Sequence, residues 1–118
     1  MKIILDTNFL MAVSQFKIDI FQELKGHELY IIDAILAELK KLSKGNSKHS
    51  KAALLALVLI ENKHLKTLPS KKKSADNLLI MYSKKGYVIA TQDRILRNKI
   101  KKAGGKSIYI RQRKYVIL

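Results

Sequence analysis

Short, mostly apolar runs alternate along this chain with longer stretches whose apolar residues recur every three or four positions. The first run, Lys2 to Leu5, stops at Asp6-Thr7-Asn8, a polar cluster suited to opening a helix. Phe9, Leu10 and Val13 continue at helical spacing. A second short helix fits Ile18 to Lys25, with Ile20, Phe21 and Leu24 on one face and Gly26 as its stop. Leu29 to Ile32 reads as a buried strand, and Asp33 is placed to cap a helix from Ala34 to about Leu42. Gly45 and Asn46 mark the loop between Ser43 and Ser47.

The alternation continues in the second half. A long apolar helix fits about Lys48 to Lys63 and carries Ala53, Leu54, Leu57, Val58 and Ile60. His64 to Leu68 fits a strand that Pro69 ends. Ser74 suits the cap of a helix with Asp76 in its first turn and Leu78, Leu79 and Met81 on its apolar side. Gly86 precedes a strand from Tyr87 to Ala90, and Thr91-Gln92-Asp93 opens a helix with Ile95, Leu96 and Ile100 that ends near Gly104-Gly105. Ser107 to Ile110 is a further strand, with Tyr115 to Leu118 as an edge.

Strands that are apolar throughout and separated by helices predict a sheet covered on both faces. The expected fold is therefore α/β, a three-layer α/β/α sandwich with a central, mainly parallel sheet. No repeat or long linker divides the chain, so a single domain over 1–118 is expected. In such folds ligands bind outside the carboxyl ends of the strands. Asp6 follows the first strand and Asp93 the fourth, so both should enter that crevice. Asp76 starts a helix at the same edge if the connections are short, and Glu38 lies where its helix can face the same space.

Charge sharpens this picture. The formal net charge is +15, with residues 1–59 contributing +2 and residues 60–118 contributing +13. The later excess includes Lys71-Lys72-Lys73, Lys84-Lys85, Arg111, Arg113 and Lys114. A solvated lysine-rich surface accounts for any single run, whereas the asymmetry of the whole favours a polyanion such as nucleic acid. No basic amphipathic helix with exposed aromatics stands out, so a membrane surface is not expected as a partner. With no Trp, three Phe and five Tyr, no base-stacking platform is obvious. There is no cysteine, which excludes disulfides and thiolate metal sites. No apolar run approaches the roughly 20 residues of a membrane span, and Asp6 interrupts the start too early for a signal peptide. A cytoplasmic location is the resulting expectation.

Each acid also has an ordinary role open to it. Asp6 and Asp93 suit helix caps, Asp76 complements a helix dipole, and Glu38 can pair with Lys41 three residues on. Asp33 is read as a cap only, and His27, His49 and His64 as incidental. What sets Asp6, Glu38, Asp76 and Asp93 apart is their joint placement, since gathered carboxylates in a basic chain are made tolerable by a cation.

The segments Ile4-Leu5-Asp6-Thr7-Asn8, Ala37-Glu38-Leu39, Ser74-Ala75-Asp76-Asn77 and Thr91-Gln92-Asp93 resemble, in order, the four acidic motifs of PIN-domain ribonucleases. The resemblance runs from Ile3 to about Tyr109. It is closest to small archaeal proteins similar to the small-subunit processome PIN proteins, and more distant from toxin–antitoxin ribonucleases. It implies that Asp6, Glu38, Asp76 and Asp93 ligate Mg²⁺ or Mn²⁺, directly or through water, and act in catalysis. It also implies that Asn8 and Thr91 steady the acids by hydrogen bonds. Where many members carry a further acid, this chain has Asn77, Arg97 and Asn98. Asn77 is taken as a supporting residue, since an amide carbonyl can still serve a hard cation.

The implied activity is metal-dependent endonucleolytic hydrolysis of RNA, in RNA processing or as a toxin. Lys71, Lys72, Lys73, Arg94 and Arg97 are the expected RNA contacts, with Lys99 beside them; a solvated helix face is the ordinary alternative for Arg94 to Lys99. A homodimer, an antitoxin or a ribosome-assembly partner fits the same resemblance. The alternative class is a non-catalytic RNA-binding or ribosome-assembly factor with this fold, which the missing extra acid keeps open. A signalling receiver domain shares the layout, but the +15 charge and the motif order argue against it.

Overall fold

In the computed structural model the chain runs β1 (Lys2–Leu5), α1 (Thr7–Phe16), α2 (Ile20–Glu23), β2 (Glu28–Ile32), α3 (Asp33–Leu42) and α4 (Lys48–Asn62). It continues through β3 (Lys66–Leu68), α5 (Ala75–Lys84), β4 (Val88–Ala90), α6 (Arg94–Lys102), β5 (Lys106–Arg111) and β6 (Tyr115–Ile117). The structure describes residues 1–112 and 115–117. The basic residues Arg113 and Lys114, and Leu118 of the expected edge strand, lie outside the described residues.

The strands form one sheet in the order β3-β2-β1-β4-β5-β6. β1 to β5 are parallel, and β6 adds to β5 antiparallel. This is the expected mainly parallel α/β sandwich. From β1 the chain steps outward to β2 and β3, returns through α5 to β4 beside β1, and then steps the other way to β5. Right-handed crossovers place helices of opposite stepping direction on opposite faces. Accordingly α1, α3 and α4 pack together, while α5 packs on α6.

The central strand explains the stability of this arrangement. Ile3, Ile4 and Leu5 of β1 are fully buried, with Ile4 between Tyr30 of β2 and Ile89 of β4. Burying each such side chain stabilises the fold by about 1.5–3 kcal/mol. Tyr82 and Tyr87 meet edge to face at 5.4 Å, as do Tyr30 and Tyr87. The Tyr82 hydroxyl donates to the Pro69 carbonyl at 2.7 Å and so ties α5 to the loop that leads into it. At Gly105 an added Cβ would stand 2.7 Å from Ser83 Oγ and 2.9 Å from Ile100 Cγ2, so only glycine lets the turn before β5 pass this close to α5 and α6.

Several local expectations need correction. Asp33 does not cap α3; it is the first helical residue, after Ile32, whose side chain makes no cap bond. There its charge complements the helix dipole instead. α2 is one turn, Ile20–Glu23, because Asp19 caps it by accepting from the Gln22 N–H at 3.2 Å. β3 begins only at Lys66, because His64 takes a left-handed turn with φ +51°. Ile20 is buried and Phe21 and Leu57 are half-buried, and the exposed apolar residues of α4 are Leu54, Leu55 and Val58. No helix among the described residues is long and apolar enough to cross a membrane.

Candidate active site

β1 and β4 lie side by side and run in the same direction, so the residues that follow them leave the sheet together. This is where the stepping direction of the strands reverses, the place at which open parallel sheets bind ligands. The backbone N–H of Asp6 donates to Ala90 O at 2.9 Å, and that of Thr91 donates to Ile108 O at 3.0 Å. Sheet bonding thus extends one residue past each strand and delivers Asp6 and Thr91 to the same edge.

Thr91 is fully buried and organises what surrounds it. Its hydroxyl lies 2.8 Å from Asp6 Oδ2 and 3.1 Å from Asn8 Oδ1, and accepts from the Asp93 N–H at 3.2 Å. One hydroxyl has one proton, so it donates to one of these oxygens at a time. Asn8 Oδ1 is satisfied either way, because it also accepts from the Gln92 N–H at 2.9 Å. Gln92 in turn grips the Ile110 backbone of β5, accepting from its N–H at 2.6 Å and donating to its carbonyl at 3.1 Å. Asn8 and Thr91 therefore join the loops after β1 and β4 around the Asp6 carboxylate.

The capping roles and the cleft roles of the acids coexist. Asp6 Oδ1 accepts from the Thr7 N–H at 2.8 Å. Asp93 Oδ1 accepts from Ile95 N–H at 2.9 Å and Leu96 N–H at 3.2 Å, which caps α6 and leaves Oδ2 out of the cap. Asp76 is not a cap; Ser74 caps α5, and Asp76 stands exposed in its first turn. Glu38 projects from α3 to within 3.5 Å of Thr7 Oγ1, which donates to it.

Asp6, Glu38, Asp76 and Asp93 line one cleft of about 510 Å³. Thr7, Asn8, Gln15 and His49 line it too. His49 is therefore not remote from the acidic motifs. It sits in the first turn of α4, and the packing of α4 on α1 brings it beside Gln15 at the cleft. Burial raises the Asp6 carboxyl above its ordinary range; the Thr91 hydroxyl and the Thr7 N–H oppose that shift, and the charges of Asp76 and Glu38 add to it. Two further carboxylates thus act on a half-buried one across the cleft.

Among the described residues, no three His, Cys, Asp or Glu groups converge closely enough to enclose a metal ion. The donors that line the cleft still suit a hard cation, being carboxylate oxygens whose mutual repulsion a positive charge would relieve. Magnesium is commonly held by one or two carboxylates with waters completing its shell, so an open arrangement fits it better than a closed cage. Asp6 and Asp93 supply such oxygens at the sheet edge, with Glu38 and Asp76 at the rim.

The other expected residues lie outside this cleft. Asn77 is exposed and gives its backbone N–H to Ser74 Oγ at 3.3 Å; being next to Asp76 on a helix, its side chain is turned some 100° away. Lys71, Lys72 and Lys73 are exposed in the turn before α5, where Lys71 and Lys72 adopt φ of +50° and +53°. Arg94 and Arg97 line a separate groove beside β5 rather than the acidic cleft.

Residues 3–113 match the family model of the PIN like domain. The chain is 30% identical to Ribonuclease VapC4 of Methanocaldococcus jannaschii, an alignment covering 97% of this chain and 93% of that protein. It is also 30% identical to Ribonuclease VapC9 of Archaeoglobus fulgidus, over 98% of this chain and 87% of the relative. Among solved structures, the PIN domain endonuclease Utp24 superposes with a TM-score of 0.78 at 27% identity, covering 98% of this chain and 88% of that one. With the match spanning nearly the whole chain and the fold shared as well, this protein belongs to the PIN-like domain family.

Proposed function

We propose that this protein is an endoribonuclease that uses Mg²⁺ or Mn²⁺ held by Asp6, Glu38, Asp76 and Asp93. The observation that carries the reading is one cleft, at the β1/β4 edge, that gathers these four acids in a chain of net charge +15. The kinship with two ribonucleases and an endonuclease supports it. When bound, a divalent ion supplies acidification of water and positive charge beside the phosphodiester. The protein's own part is positional. Thr91 fixes the direction of the Asp6 carboxylate, and the α6 cap fixes Asp93 with one oxygen left for the cleft. Asn8 locks the loops that bear both acids. The basic surface contributes attraction to the phosphate backbone without sequence choice.

A second reading, RNA binding without cleavage, is favoured by one observation: no three of the acids and histidines converge closely enough to enclose an ion among the described residues. A cleavage assay on single-stranded RNA with and without Mn²⁺ separates the two, with Asp6→Asn and Asp93→Asn as controls. Cleavage that needs the metal and disappears in both variants is expected. Cleavage that survives both substitutions rules out this site, and RNA binding with no cleavage selects the second reading.

A further inference from the structure

A groove of about 740 Å³ lies along α6 and β5, and among the described residues no acidic one lines it. Arg94, Arg97, Asn98 and Lys101 enter it from α6 at positions i, i+3, i+4 and i+7, so they form one stripe along the helix. Lys106 and Tyr109 enter it from β5. The Arg97 guanidinium stacks 3.8 Å above the Tyr109 ring. Its Nε is enclosed without a hydrogen-bond partner among the described residues.

We infer that this groove is a second RNA-binding site, which holds the strand that flanks the acidic cleft. The inference deepens the nuclease reading and rests on it for the identity of the polyanion. Three features favour a single strand. The stripe from Arg94 to Lys101 is about 10 Å long, roughly three phosphate steps of a stacked strand. A guanidinium held over an aromatic ring is a preorganised cation on which an unpaired base can stack. Asn98 and Ser107 add uncharged hydrogen-bonding groups beside it. The stripe also starts beside the chemistry in sequence: Arg94, which lines the groove, directly follows Asp93, which lines the acidic cleft. Repulsion of phosphate by the cleft acids thereby gives way, one residue along, to attraction by the basic stripe.

The test compares Asp6→Asn with the same chain carrying Lys101→Gln and Lys106→Gln, both at exposed positions outside the core. Affinities are measured for single-stranded RNA of about 4 and about 12 nucleotides, lengths that bracket short and extended binding sites. The longer RNA is expected to bind the parent more tightly, and the two neutralised lysines to narrow that advantage about tenfold. Their loss should also reduce the salt slope by roughly 1.4. An unchanged advantage, or no advantage in the parent, overturns the groove. So does loss of binding to an oligoglutamate peptide with RNA binding intact, which would mark a protein-binding surface. Cleavage of the short RNA by the unmodified chain reports on the nuclease reading separately: absent cleavage with lysine-dependent binding leaves the groove standing alone.

Discussion

At the scale of single residues, Asp6 carries opposed demands that can be measured. Burial is the main cause of its raised pKa, so the folded chain holds this proton more tightly than the unfolded chain does. Its contribution to stability is therefore present at pH below the ordinary value of 3.8 and is lost as pH rises through the raised pKa. Asp6→Asn keeps one oxygen for the Thr7 N–H and turns its amide N–H towards Thr91 Oγ1, whose own proton can go to Asn8 Oδ1, while removing the charge. Its Tm is expected to exceed that of the unmodified chain at neutral pH, with the difference closing as pH falls towards 3.8. A lower Tm at neutral pH would contradict this. Thr91 is the complementary case. Thr91→Val leaves the Asp93 N–H without its acceptor and frees Asp6, and is expected to cost about 1–3 kcal/mol in stability. Activity should fall about 10–100-fold, as for other residues that orient metal-binding groups, and Thr91→Ser should restore both. Asp6 and Asp93 could be found in the sequence because a carboxylate at or just after the end of an apolar strand is conspicuous, whereas Glu38 and Asp76 lie on helices and stood out only through the order of the four motifs. His49, Gln15 and Gln92 could not, because their positions depend on which helices pack together and on a side chain bonding to a distant strand.

At the scale of elements, α6 tests whether Asp93 is a cap, a cleft group or both. Asp93→Ala removes the acceptor for two backbone N–H groups and is expected to destabilise the chain by about 0.5–2 kcal/mol. Asp93→Asn keeps a good cap, so denaturant titration should find it close to the unmodified chain in stability while cleavage is lost. Equal destabilisation by both variants would mean that charge, not capping, dominates. The strands β1, β2 and β4 were legible because they are apolar on both faces, as a covered parallel sheet requires, and β5 because Ile108 and Ile110 alternate with less buried residues. α2 and β3 were read as longer than they are. Their ends are set by an Asp19 cap and a left-handed His64, and neither leaves a signal in hydrophobic spacing. Asp33 misled for a related reason, since the same residue type suits the cap and the first turn of a helix.

At the scale of the whole molecule, the proposed function assigns binding to the basic excess and chemistry to the acidic cleft. With Arg94, Lys101 and Lys106 each meeting a phosphate, affinity for single-stranded RNA should fall with salt at a logarithmic slope of about −2 or steeper. A slope near zero would remove the electrostatic basis of the account. The sandwich architecture and the meeting of Asp6 with the Thr91–Asp93 segment followed from strand order alone, once β1 and β4 were neighbours. The separation of Arg94 and Arg97 from the cleft did not, because it depends on how α6 turns about its axis against β5. The central claim is the proposed binding of a divalent ion by the four acids, and a crystal structure of the protein soaked in Mn²⁺ tests it most directly. Anomalous density in the cleft against Asp6, shared with at least one of Glu38, Asp76 and Asp93, is the predicted result; manganese bound only elsewhere, with these carboxylates uncoordinated, would contradict it.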